Sequence, residues 1–228
     1  VVKKTCHINQ PYGLGDIILC EPIARYYYNK GYEVTYWVRD DYIWIKDYIP
    51  YINFKKQSDG YIDKEEVVIT DEYVYLPLIR KAVSPRNVWV ETGWLYDKYT
   101  ISELDHSLWK TFDFVRNLEK ENSLFQKLDL EGKDYILINT NSSSGKASIN
   151  VESQYKIVYL DFIEGFTMLD WYKVLNNAKE IHTVPTSIVF PIVHMKHNNV
   201  TLYSREDGND TFLSIKKVFE DYNFKYES

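Results

Sequence analysis

The chain has 228 residues, is 45% apolar and 16% aromatic, and carries a formal net charge of -6, so it has material for one large domain or two small ones with buried cores. No apolar run approaches the roughly 20 residues of a membrane span and the N-terminus lacks a secretory pattern, so a soluble, intracellular protein is expected. Residues 1–125 hold 16 Lys/Arg against 19 Asp/Glu and the remainder 11 against 14, which argues against a basic nucleic-acid-binding domain.

In chain order, Lys4–Ile8 reads as a strand and Ile17–Asn29 as a helix stopped by Gly31. Glu33–Val38 alternates apolar positions as a second strand, Arg39-Asp40-Asp41 reads as a strand-end loop, Tyr42–Tyr48 as a short helix and Val67–Ile69 as another strand. The aromatic stretch Val83–His106 reads as an irregular loop, either core or the cover of an acceptor pocket, and Leu108–Leu118 as a helix closing the first half. After Glu131-Gly132-Lys133-Asp134 the pattern restarts. Tyr135–Asn139 is a strand, Thr140–Ser148 a polar loop, Ile157–Leu160 a strand and Leu169–Ala178 a helix; Glu180–Thr183, the helix Ser187–Met195, the strand Val200–Tyr203 and a terminal helix Thr211–Tyr222 follow. Strands separated by helices call for parallel sheets with crossovers. The restart calls for an α/β fold of two small Rossmann-like lobes, residues 1–125 and 126–228, with ligands at the carboxyl ends of strands facing a cleft.

Gly13-Leu14-Gly15-Asp16 joins a strand, a glycine turn and a helix start, where backbone and free N–H groups approach a ligand beside a carboxylate. Asp16 reads either as a general base or as a helix cap worth about 1 kcal/mol. As a cap it would tolerate Asn with activity and stability near wild type; as a base it would lose roughly 100-fold to 10,000-fold in turnover on the same change, and the search would move to Glu21, Asp40 and Asp41.

In the second half, Ser143, Ser144, Gly145 and Lys146 supply the parts of a phosphate-binding loop, or of an ordinary polar turn. Positions 140 and 147 are Thr and Ala, so this is not a Walker loop. Thr186 and Ser187 stand at a helix start, to cap it or to hold a pyrophosphate. Glu164 reads as a ligand for a donor hydroxyl or as a solvated carboxylate, and His182 as a phosphate contact or a satisfied structural histidine. Cys6 and Cys20 lack metal-ligand spacing, and His194 and His197 lack a further ligand, so no metal is expected.

These residues resemble heptosyltransferase-type glycosyltransferases of the B-type two-lobe fold. Gly13-Leu14-Gly15-Asp16, with Pro22 following, is similar to their N-terminal signature, and Leu169–Met195 to their donor region, although the Asp-Thr-Gly turn of the family is replaced by His182-Thr183-Val184. The resemblance implies a compact enzyme with an acceptor-side lobe, 1–125, containing Gly13, Gly15 and the base Asp16. It implies a nucleotide-sugar lobe, 126–228, in which Ser143, Ser144, Lys146, Glu164, His182, Thr183, Thr186 and Ser187 surround the donor. The nucleotide-sugar is a substrate and no cofactor is implied. The acceptor is a hydroxyl of a surface glycan or lipid-linked saccharide, which places the enzyme in the cytoplasm, at the inner face of a membrane. Two alternatives are a hydroxylated base in viral DNA, placing it in the host cytoplasm, and a non-catalytic nucleotide- or sugar-binding protein of the same fold.

Overall fold

The computed structural model describes residues 3–61, 64, 66–78, 93–142, 145–204 and 216–227, with the main chain alone at 93–95, 145 and 146. They fall into two compact units, one ending at Val115 and the other beginning at Arg116, ten residues before the division expected at 125.

The first unit contains β1 (Thr5–Asn9), α1 (Leu14–Leu19), α2 (Glu21–Asn29), β2 (Glu33–Val38), β3 (Asn53–Lys56), β4 (Val68–Ile69), β5 (Tyr73–Leu76) and α3 (Gly93–Ile101). Its sheet has the order β3-β2-β1-β5-β4, parallel except for β4. Register puts Cys6 beside Val34 and Val74, and Ile8 beside Tyr36 and Leu76. Alternation therefore gathers these six side chains on one buried face, with Ile17, Ile18, Leu19 and Ile23 also in the core. The expected helix over 17–29 is two helices broken at Cys20. Pro22 has no N–H to return to Ile18, whose carbonyl instead accepts from Cys20 N, and Pro22 sits in the first turn of α2 where that loss is harmless.

The second unit contains α4 (Leu118–Lys127), β6 (Tyr135–Asn139), a small hairpin β7 (Asn141–Ser142) and β8 (Gly145–Lys146), β9 (Lys156–Tyr159), α5 (Tyr172–Asn177), β10 (Glu180–Thr183), α6 (Val189–His194), β11 (Val200–Tyr203) and β12 (Lys225–Glu227). Its main sheet is parallel throughout, in the order β12-β11-β10-β6-β9. One face carries Ile136 and Ile138, packed with Ile149 and Val184 and covered by Ala147, Val151 and Tyr155. On the other, the Tyr135 hydroxyl donates to the Val174 carbonyl of α5 at 2.6 Å, and Tyr135 meets Phe125 of α4 edge-on.

The expected helix over 108–118 is a single 3-10 turn, His106–Thr111, followed by extended chain. Asp105 caps that turn through Ser107 N, but the true helix start is Asn117, whose Oδ1 accepts from Lys120 N at 3.1 Å. Because α4 packs on α5 and the segment before it, it belongs to the second unit. The expected polar loop Thr140–Ser148 holds the β7–β8 hairpin. Of the expected aromatic loop over 83–106, residues 83–92 lie outside the described residues, and 93–101 form the helix α3 instead of irregular chain; of the expected terminal helix over 211–222, residues 211–215 lie outside, and in the rest only 216–218 are helical, with turns after them.

Buried tyrosines here are tethered as well as packed. The hydroxyls of Tyr27, Tyr36 and Tyr99 donate to the carbonyls of Ser102, Ile17 and Leu19, which ties α1, α3 and the sheet together through backbone acceptors.

Candidate functional site

In the first unit the chain leaves β1 through Asn9 and Gln10, both buried, and turns at Gly13 into α1. Gly13 has φ 76°, and a Cβ there would lie 2.6 Å from Asp16 Oδ2. Asp16 stands in the first turn of α1, yet that helix has no side-chain cap hydrogen bond. Its carboxylate instead pairs with Lys98 of α3, Oδ1 to Nζ at 3.1 Å; the Asp16 side chain is 34% exposed and that of Lys98 9%. Lys98 Nζ also donates to Gln10 Oε1 at 2.8 Å and to the Leu78 carbonyl at 3.0 Å, and Gln10 Nε2 donates to the Tyr12 carbonyl. The capping account of Asp16 thus gives way to an ion pair with a buried lysine. Sequence reasoning missed Lys98, because nothing in positions 93–101 marks one lysine as the partner of a residue 82 positions earlier.

The reserve carboxylates have other duties. Glu21 is fully buried, accepting from the Tyr51 hydroxyl, from Arg25 Nε at 3.1 Å and from Asp113 N at 3.1 Å. Burial pushes its carboxyl up to about 7 against the pull of those three donors. Asp40 accepts from the Ser58 hydroxyl and amide, which hold its carboxyl below the usual range, and Asp41 pairs with Arg39 through two bonds of 3.0 and 2.7 Å. Cys6 and Cys20 are free, buried thiols, pushed far up and up to about 12 respectively by desolvation, so both are inert as nucleophiles.

In the second unit, β6 and β10 end side by side, Asn139 opposite Thr183. Asn139 Nδ2 donates to Thr183 Oγ1 at 2.9 Å and to Thr186 Oγ1 at 3.2 Å, while its Oδ1 accepts from Asn141 N at 3.2 Å. The Thr183 hydroxyl passes its own proton to the Val184 carbonyl. Asn139, another residue the sequence reading did not single out, is therefore the hub that joins Thr183 to Thr186. Ser187 lies in the turn before α6, with its carbonyl accepting from Phe190 N at 3.3 Å; α6 begins at Val189 and has no side-chain cap hydrogen bond.

His182 belongs to a different surface. Successive strand residues point to opposite faces, so it turns away from Thr183, towards Tyr203 and Glu180. Its Nδ1 meets the Tyr203 hydroxyl at 3.0 Å and its Nε2 the Glu180 carboxylate at 3.1 Å, which engages both ring nitrogens. Glu164 is exposed in a turn beyond the carboxyl end of β9, where Gly165 adopts φ 88°. Ser143, Ser144 and the Lys146 side chain lie outside the described residues; the Lys146 main chain pairs with Asn141. His194 Nδ1 meets the Tyr172 hydroxyl and His197 Nε2 the Ala178 carbonyl. Among the described residues no group of three or more His, Cys, Asp or Glu is placed to hold a metal ion, and no helix is long and apolar enough to cross a membrane.

No family model and no curated protein sequence matches this chain. Solved structures do. The chain is similar to the bacterial iron-containing dodecameric glycosyltransferase TibC from enterotoxigenic E. coli, with a TM-score of 0.56 and 15% identity over 92% of this chain and 61% of that one. It is likewise similar to the iron-containing heptosyltransferase TibC in complex with ADP-D-beta-D-heptose, at 0.53 and 15% over 90% and 59%. A glycosyl transferase family 9 structure from Veillonella parvula gives 0.52 and 10% over 100% and 87%. The chain spans about three fifths of the length of TibC. With two mainly parallel five-stranded sheets, each flanked by helices, it has the two-lobed, Rossmann-like α/β fold of these glycosyltransferases.

Proposed function

We propose that this chain is a glycosyltransferase that moves a sugar from a nucleotide-sugar to a hydroxyl acceptor. The observation that carries the reading is Asp16: a partly exposed carboxylate beside a glycine turn after the first strand, paired with a buried lysine, in a chain with a glycosyltransferase fold. In the proposed step Asp16 takes the proton of the acceptor hydroxyl while the acceptor oxygen bonds to the anomeric carbon. The bond from that carbon to the diphosphate oxygen breaks, and its electron pair leaves with the nucleoside diphosphate.

The growing charge is assigned to the second lobe. Thr186 Oγ1 accepts from Asn139, so its own proton is what a diphosphate oxygen would meet. Ser143, Ser144, Lys146 and Ser187 are proposed as the remaining diphosphate contacts, and Glu164 as the ligand of a donor hydroxyl. His182 is left out of the donor contacts because both of its nitrogens are engaged. The proposed acceptor is a surface glycan or lipid-linked saccharide met in the cytoplasm. TibC is described as iron-containing; the step proposed here is written without a metal, and chelation tests that part of the proposal.

A thermal-shift panel of nucleotides and nucleotide-sugars tests the reading, because a ligand of the folded state raises its stability. At least one nucleoside diphosphate should raise the midpoint, Lys146→Ala with Ser187→Ala should weaken it, and the matching nucleotide-sugar should be hydrolysed or transferred. Turnover should persist after exhaustive chelation. Binding without turnover, indifferent to the loss of Asp16, would identify a non-catalytic binding protein instead.

A further inference from the structure

We infer that Lys98 is the positioning residue of the Asp16 base: it fixes Oδ1 and leaves Oδ2 to take the acceptor proton. The inference rests on the function proposed above. A lysine ammonium has three protons, and Lys98 has three acceptors within 3.1 Å: Asp16 Oδ1, Gln10 Oε1 and the Leu78 carbonyl. None is left for a phosphate or a sugar hydroxyl, so Lys98 reaches the reaction only through Asp16. Two of the three acceptors are neutral. Asp16 is the one carboxylate paired with Lys98 among the described ion pairs, and Lys98 is only 7% exposed, so the cation holds that carboxylate strongly.

The opposite partner is equally constrained. Gln10 is 3% exposed, with its amide nitrogen committed to the Tyr12 carbonyl at 2.7 Å, which turns Oε1 towards Lys98. Asp16 Oδ2 lies on the Gly13 side, where a Cβ would intrude to 2.6 Å. Glycine at 13 and lysine at 98 thus act on the two oxygens of one carboxylate, the first by leaving room and the second by attraction.

The test is a cycle of Asp16→Asn, Lys98→Met and the double variant, assayed for transfer with the donor found in the thermal-shift panel and for melting temperature. Lys98→Met should lower kcat by about 10-fold to 100-fold, the scale of a misplaced catalytic group, with both KM values within about twofold of wild type. Asp16→Asn leaves the buried Lys98 ammonium without its carboxylate and should melt about 10 °C lower, Lys98→Met leaves only the partly exposed Asp16 unpaired and should lose less, and the double variant should regain most of the Asp16→Asn loss. It should not regain turnover: its residual kcat should equal that of Asp16→Asn, since a positioning residue has nothing left to position. If Lys98→Met does not fold, comparing Asp16→Asn with the double variant still decides the matter. A further fall in kcat in the double variant, or a folded Lys98→Met keeping more than half of the wild-type kcat, overturns the role of Lys98 alone. A wild-type protein that turns over no nucleotide-sugar overturns the glycosyltransferase reading itself.

Discussion

At Gly13 two constraints coincide: φ of 76° disfavours any side chain, and a Cβ would strike Asp16 Oδ2. Gly13→Ala should therefore destabilise the first lobe by about 1–2 kcal/mol in urea unfolding and lower turnover as well. Gly15 lies inside α1 and is not among the glycines with positive φ, so Gly15→Ala should leave stability unchanged or raise it by up to about 1 kcal/mol. A contrast between the two separates the close approach at 13 from mere helix propensity. Asp16→Asn is no longer expected to be neutral even as a structural change, because it strands the Lys98 charge. At His182 the prediction runs the other way. With Tyr203 and Glu180 on its two nitrogens, His182→Gln should cost about 1–3 kcal/mol of stability while nucleoside diphosphate affinity, measured by calorimetry, stays within about twofold.

Glu21 opens α2 and joins it to Tyr51 and to the chain at Asp113, so its titration is a property of how these elements meet. Its folded pKa, about 7, lies above the ordinary 4.5, meaning that the native state holds this proton over a range in which the unfolded chain has lost it. The contribution is fully present below about 4.5 and is lost as pH rises through about 7. First-lobe stability should thus fall by a few kcal/mol between pH 4.5 and 8 from this group. Glu21→Gln, followed by urea unfolding across that range, should flatten the slope relative to wild type; an unchanged slope would place the pH dependence elsewhere. The elements also show what pattern reading finds. Glu33–Val38, Tyr135–Asn139, Glu180–Thr183 and Val200–Tyr203 are strands with the expected bounds, and each is buried over most of its length. The strands Asn53–Lys56, Tyr73–Leu76 and Lys225–Glu227 escaped. Asn53–Lys56 and Lys225–Glu227 are mostly polar and exposed edge strands with no apolar run to mark them, and Tyr73–Leu76 is a short apolar run that only its pairing with β1 identifies as a strand.

On the scale of the whole molecule, each unit has its own sheet and its own core, so urea unfolding should show two transitions. Trp171, 2% exposed, is the sole tryptophan beyond residue 109 and reports on the second lobe. A nucleoside diphosphate at about 100 times its Kd should stabilise by about 2.7 kcal/mol the transition that Trp171→Phe silences, and leave the other in place. The two-lobe α/β plan and the glycine turn carrying Asp16 were legible in the sequence, because strand–helix alternation and a glycine turn before a helix are local signals. Residues at strand ends, such as Thr183 and Thr186, could be proposed for the same reason. What only the tertiary structure decided are the partners across long separations: Lys98 for Asp16, Asn139 for Thr183 and Thr186, Tyr51 and Asp113 for Glu21. It also assigned α4 to the second lobe and turned His182 onto the face opposite Thr183. Side-chain pairing depends on strand register and helix packing. Both are set by the burial of apolar surface far along the chain, and no short window of sequence contains that information.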